Sequence, residues 1–165
     1  MTTIVSIESF ADLEPGRRLL GLDLGTKTIG LALSDVRRVV ATPLETIQRT
    51  KFTKDAARLI AICTKHAIGG LVVGLPLNMD GSEGPRAQAT RAFIRNLGPH
   101  LDLPVVLWDE RLTTVAVNRA MIAADTSRAR RAEVVDKVAA GYILQGVLDR
   151  LSELDRSSHN PAQND

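Results

Sequence analysis

At 165 residues, 44% of them hydrophobic and 24% charged, the chain suits one globular domain whose core is large enough to fold without staples. Twenty-one basic against 19 acidic residues leave a net charge of +2, which speaks weakly for a polyanionic partner, and 3% aromatics disfavour a single-strand binder built on base-stacking platforms. No apolar run approaches the roughly 20 residues that span a bilayer, and the opening MTTIVSIESFADLEPGRR lacks the basic-then-apolar order of a secretion signal, so the chain reads as cytoplasmic with no membrane partner.

Residues 1–16 are mixed in character and end in Pro-Gly, while from Ser152 the tail loses its apolar residues. One domain is therefore expected over 17–151, with loosely held ends at 1–16 and 152–165. Residues 19–24 and 28–34 read as two strands joined by GTK, with glycine at the tight position. A third strand is expected over 39–47, interrupted by Pro43. Ala56, Leu59, Ile60, Cys63 and Ala67 then recur at helical spacing, and LVVGL at 71–75 is a short apolar run of the kind found in buried parallel strands. Cys63 is the lone cysteine; it excludes an internal disulfide and a Cys-rich zinc site, so a bound metal has to be held by oxygen.

The loop PLNMDGSEGPR at 76–86 is polar, with two glycines and two prolines, and reads either as a substrate-facing lip or as a turn leading into a helix. That helix is marked by Thr90, Phe93, Ile94 and Leu97 and ends at Gly98-Pro99; VVLW at 105–108 supplies another buried strand. Two helices complete the chain. One is expected at 114–124, and one at 132–151 with an apolar stripe of Val135, Val138, Ala139, Tyr142, Ile143 and Gly146. The result is an α/β chain in β-β-β-α-β-α-β-α-α order, with a mixed five-stranded sheet and helices on its faces.

Alternation sends Leu20, Leu22 and Leu24 to one face of the first strand and Leu19, Gly21 and Asp23 to the other. The second strand puts Ile29, Leu31 and Leu33 on one face and Gly30, Ala32 and Ser34 opposite. One side of the hairpin is thus nearly bare, and Asp23 stands at its edge. The small residues Ala139, Ala140 and Gly141 would let the last helix lie close there, bringing Asp136 near Asp23. Glu110, in WDERLTT just past a buried strand, is the third candidate, with Asp109 beside it as a rival. Each acid alone also suits a local role: Asp23 as a turn-former, Glu110 or Asp109 as a helix cap, Asp136 as a solvent-facing acid. Three converging acids with no Cys or His framework suit Mg²⁺ or Mn²⁺, and such ions point to phosphodiester chemistry.

Four stretches, GLDLGTKTIGLALSD, VVGLPLNMDGSEGPRAQ, WDERLTT and VVDKVAAGYILQ, stand in the order and spacing of the YqgF family, also called RuvX, which the chain closely resembles over nearly all of its folded part. These are bacterial proteins related to Holliday-junction resolvases and described as pre-16S rRNA nucleases. The resemblance implies an RNase H-like fold and a catalytic, metal-ligating triad of Asp23, Glu110 and Asp136. It also implies a hydrolase that uses divalent metal to cleave nucleic acid, with a role in maturing the 5′ end of 16S rRNA. Many members carry a basic residue where this chain has Thr28.

Lys27, Arg111, and the cluster Arg128, Arg130 and Arg131 are candidates for positioning a phosphate backbone; the cluster also reads as a solvated segment between helices. Thr113 and Thr114 either donate to the backbone or cap a helix, with capping preferred. His66, His100 and His159 lie far from the acids, and no serine stands in a nucleophile-elbow context, so triad hydrolysis is not expected. DLGT followed by glycine also resembles the first phosphate hairpin of actin-like and sugar-kinase ATPases, but no second hairpin follows. The expected partner is nucleic acid, pre-16S rRNA first and branched DNA as the alternative, on ribosomal particles, by a monomer or homodimer; a non-catalytic nucleic-acid binder is the remaining reading.

Overall fold

The computed structural model describes residues 2–112 and 128–159, the side chains of 128–134 excepted. Among the described residues six strands form one sheet: Thr3–Ile4 (β1), Arg18–Leu24 (β2), Thr28–Ser34 (β3), Ala41–Gln48 (β4), Ile68–Leu75 (β5) and Pro104–Asp109 (β6). Their order is β1-β6-β5-β2-β3-β4, in which β2, β3 and β4 run antiparallel and β1, β6, β5 and β2 run parallel. The helices are Phe52–Lys65 (α1), Pro85–Leu97 (α2) and Arg128–Ser158 (α3). No helix among the described residues is long and apolar enough to cross a membrane.

The expected alternation sorts the core into two layers. Leu20, Leu22, Ile29 and Leu31 meet Leu59, Ile62 and Cys63 of α1 and Phe93, Ile94 and Leu97 of α2. On the opposite face, Leu19, Ala32, Val72 and Val106 meet Ala139, Ala140, Ile143, Leu144, Val147 and Leu148 of α3. The bare face of the hairpin is thus covered by the small-residue helix. Its backbone comes so close that a Cβ built on Gly21 would lie 2.8 Å from Leu144 Cβ and 3.0 Å from the Ala140 carbonyl oxygen. Side chains larger than hydrogen are excluded there by contact.

Several boundaries differ from the sequence reading. A sixth strand comes from residues 3–4, which pair with Pro104 and Val105 at the sheet edge; a two-residue strand carries no periodicity to detect. In the same segment the 3₁₀ turn Ile7–Asp12 buries Phe10 against α3. β4 begins at Ala41, and its Pro43 is accommodated at the free edge beside a register shift between Leu31 and Ala32. Pro85 is the first residue of α2, where its missing N–H costs nothing. The last helix extends over 128–158 rather than 132–151, and Tyr142 is 41% exposed instead of lining the core; Ala140, Leu144 and Leu148 take that place. The helix expected at 114–124 lies outside the described residues.

Candidate active site

β2 brings Asp23 to the face covered by α3, where it is 3% exposed and pairs across the hairpin with Gly30 of β3. Gly30 is the point at which α3 sits down on the sheet: a Cβ added there would stand 2.1 Å from the Asp136 carbonyl oxygen and 2.7 Å from the Lys137 nitrogen. No residue but glycine permits that approach. The side chain of Asp136 turns to the hairpin, where its Oδ2 accepts a hydrogen bond from Thr28 Oγ1. Asp23 and Asp136 open on one cleft of about 490 Å³, whose other walls are the Gly25–Thr28 turn, Val135 and Arg86.

On the other side of Asp23, β5 pairs with β2 as far as Leu22 with Val73, so the next residue, Gly74, stands beside Asp23. Glu110 covers it. The 3₁₀ turn Glu110–Leu112 after β6 places Glu110 Oε1 2.7 Å from where a Gly74 Cβ would be. Asp23 therefore stands between two glycines, and each is covered by a segment carrying a further acid. Among the described residues, no three His, Cys, Asp or Glu side chains are grouped closely enough to hold one ion, so the three acids flank one another without forming a closed ligand cluster. The donor set still fits a hard cation: it contains oxygen ligands only, two of them on an open cleft, and Mg²⁺ is commonly bound by one or two carboxylates with water and substrate phosphate completing the shell.

Asp109 has a different position from Glu110. The Arg111 guanidinium donates to both its carboxylate oxygens at 2.7 to 3.1 Å, and the Arg111 backbone N–H adds a bond of 2.9 Å. The Arg111 hydrogen bonds and charge hold the Asp109 carboxyl below its ordinary value against a burial that raises it. Arg111 also donates to the Met79 carbonyl oxygen at 3.2 Å. The residue considered as a phosphate contact thus spends much of its donor set tying β6 to the loop after β5. That loop is an internally bonded turn: Asn78 N–H to Ser82 O at 2.9 Å, Gly81 N–H to Asn78 O at 2.9 Å, and Ser82 Oγ to Asp80 Oδ1 at 2.6 Å, with Gly81 at φ +88°.

Lys27 is exposed on the hairpin turn and lines the cleft. The turn is fixed from below by Arg49, whose Nη1 donates to the Gly25 carbonyl oxygen at 2.6 Å while its guanidinium stacks 5.4 Å above the Phe93 ring. Arg128, Arg130 and Arg131 fall in the first turn of α3, outside the described side chains, and Thr113 and Thr114 lie outside the described residues. Thr28, noted in the sequence only as standing where many family members carry a basic residue, and Arg86, the last residue of the 76–86 loop read as a substrate-facing lip or a turn, both line the cleft, although neither was placed beside the acids; Thr28 shares the period-two face of Gly30 and Ala32, which was the available signal.

The profile of a family described as "RuvX: Holliday junction resolvase" matches residues 17–150. A protein of Cereibacter sphaeroides named "Putative pre-16S rRNA nuclease" is 67% identical over 152 residues, covering 92% of this chain and 95% of the relative. A protein of the same name from Methylocella silvestris is 65% identical over 145 residues, covering 88% and 90%. Among solved structures, T. thermophilus RuvC in complex with a Holliday junction substrate gives a TM-score of 0.48 at 14% identity, over 82% of this chain and 96% of that one.

Proposed function

The chain belongs to the RuvX family, and on that premise we propose that it is a cytoplasmic nuclease that hydrolyses phosphodiester bonds with Mg²⁺ or Mn²⁺ and trims the 5′ end of pre-16S rRNA on ribosomal particles. The names of the relatives support the substrate. The observation that carries the chemistry is the row in which Asp23 is flanked by Gly30 under Asp136 and by Gly74 under Glu110. Glycine on both sides lets two other segments deliver carboxylates to one buried carboxylate, an arrangement that a merely structural acid does not need.

Asp23 and Asp136 would hold the ion, with Glu110 the third acid; when bound, the ion supplies charge neutralisation at the scissile phosphate and an acidified water. The protein's own contribution is positional. Asp23 is fixed by strand pairing, Thr28 orients the Asp136 carboxylate, and Lys27 offers a cation at the open side of the cleft.

The test is cleavage of a pre-16S 5′-leader RNA and of a four-way DNA junction of matched length, each with Mn²⁺, Mg²⁺ or chelator, by wild type and Asp23→Asn. The expected result is metal-dependent cleavage of the RNA by wild type, falling by roughly two orders of magnitude or more in Asp23→Asn while its circular dichroism is unchanged. Equal rates for the two proteins would refute the assignment of the acids. Preferential cleavage of the junction would keep the chemistry and replace the substrate.

A further inference from the structure

We propose that Arg86 is a phosphate-binding residue of this cleft, taking a backbone phosphate of the substrate strand next to the scissile one, where the strand passes the Gly25–Thr26 turn. The inference deepens the nuclease reading and rests on it. Its basis is a groove. The cleft containing Asp23 and Asp136 and a smaller depression of about 80 Å³ containing Arg49, Thr90 and Phe93 share three lining residues: Gly25, Thr26 and Arg86. The two hollows are therefore one path around the hairpin turn, and Arg86, in the first turn of α2, stands at their junction.

Charge decides what that path takes. Two carboxylates line the large hollow, and they repel a polyanion unless cations compensate; among the described residues the cationic side chains lining it are Lys27 and Arg86. Three other arginines with described side chains are committed elsewhere. Arg49 is bonded to the Gly25 carbonyl, Arg111 to Asp109 and Met79, and Arg91 to Glu83 at 2.5 Å. Arg86 is different: among the described residues its side chain has no hydrogen bond and no ion pair, although Asp23 and Asp136 line the same cleft. An exposed guanidinium keeps its planar fork of donors free for two phosphate oxygens, a geometry that lysine does not reproduce. The floor beside it is held in place, by Gly25 N–H to Thr28 O at 2.8 Å and Arg49 N–H to Lys27 O at 2.8 Å, so a phosphate seated there is positioned relative to Asp23.

The experiment measures binding apart from cleavage. Fluorescence anisotropy with a labelled single-stranded RNA of the pre-16S 5′ leader, in chelator, is run over a salt series for wild type, Arg86→Gln, Arg86→Lys and Arg95→Gln. Arg95 is exposed on α2 and lines neither hollow, so it controls for lost charge. Arg86→Gln should bind about tenfold more weakly than Arg95→Gln, as expected for one lost charged hydrogen-bonding contact. The slope of log K against log salt should fall by about 0.7, the value for one phosphate contact on a single strand. Arg86→Lys should recover part of the affinity, and thermal midpoints should agree, because Arg86 holds no other side chain. A single methylphosphonate walked along the strand, on 2′-O-methyl nucleotides, should weaken wild type at one phosphate whose neutralisation leaves Arg86→Gln unaffected. The proposal is overturned if Arg86→Gln matches Arg95→Gln in affinity and salt slope, or if every methylphosphonate effect persists in Arg86→Gln. Failure of the nuclease reading looks different: binding follows the pattern above while wild type does not cleave with Mn²⁺.

Discussion

Replacing Gly30 with alanine drives a carbon atom into the backbone of α3. The new Cβ would lie 2.1 Å from the Asp136 carbonyl oxygen and 2.2 Å from its carbon, whereas ordinary contact begins at 3.4 Å, so the helix has to retreat by about 1.3 Å. No rotamer relieves this, because both colliding partners are main chain. Retreat at Asp136 also pulls on Ala139, Ala140 and Ile143, which are 0–2% exposed and packed on the same face. Overpacking commonly costs 1–3 kcal/mol, and a backbone collision belongs at the upper end, about 3 kcal/mol. For a chain of this size each kcal/mol moves the melting temperature by about 2–4 °C, so a loss of about 6–12 °C is expected by circular dichroism. Gly141→Ala is the internal comparison: among the described residues its Cβ would meet only Pro43, at 3.6 Å, and alanine is favoured over glycine in a helix by up to about 1 kcal/mol, so its melting temperature should rise slightly. In a Mn²⁺ cleavage assay well below either transition, Gly30→Ala should lose at least about tenfold in rate, because Asp136 moves away from Asp23, while Gly141→Ala stays near wild type. A Gly30→Ala protein as stable as wild type would mean that α3 does not rest on the hairpin at this point, and the reasoning about the cleft would fall with it.

Thr28→Val keeps the shape of the side chain but removes the donor to Asp136; stability should drop by about 1 kcal/mol and cleavage by about tenfold, and an unaltered rate would show that Asp136 needs no such orientation. The Arg111 guanidinium depresses the Asp109 carboxyl below its ordinary 3.8, so the clamp's stabilisation is fully present above that value and is lost as pH falls through the lower folded-state value. Urea midpoints of wild type and Asp109→Asn should accordingly differ at neutral pH and converge only below 3.8; convergence at higher pH would contradict the clamp. Burial pushes the Cys63 thiol up to about 11, so iodoacetamide at pH 8 should label it only after unfolding, and rapid labelling of the native protein would contradict its place against α1's neighbours.

The layering of the sheet could be read from its strands because alternation is a local signal. Leu20, Leu22 and Leu24 against Gly21 and Asp23 reveal two faces without knowledge of what covers them. The emptiness of Gly30 and Ala32 even predicts a close-packed element. The small residues Ala139, Ala140 and Gly141 also identified the last helix as the cover of that face, but which single side chains meet depends on residues far along the chain, and there local reading stops. Asp136 reaches Thr28 across 108 positions, and Arg86 meets the hairpin turn only after β5 and its following loop have folded back. The phase of α3 was misread for a related reason: apolar residues occupy a wide arc of that helix, and the sheet's glycines admit Ala140 and Leu144 deeply while Tyr142 remains outside. Asp109 and Glu110, adjacent in sequence, were separable only once Arg111 was seen to claim the first.

The parallel pairing of β1 with β6 and the seating of α3 on the hairpin both join parts of the chain that leave the ribosome far apart in time. At roughly 5–20 residues per second, the 108 positions between Thr28 and Asp136 take about 5–20 s to synthesise. Throughout that interval the hairpin's glycine face lacks the cover of α3, and Thr3 and Ile4 have no strand to join until Pro104–Asp109 has been made. A nascent chain carries Asp23 long before it carries the helix that turns Asp23 into half of a cleft.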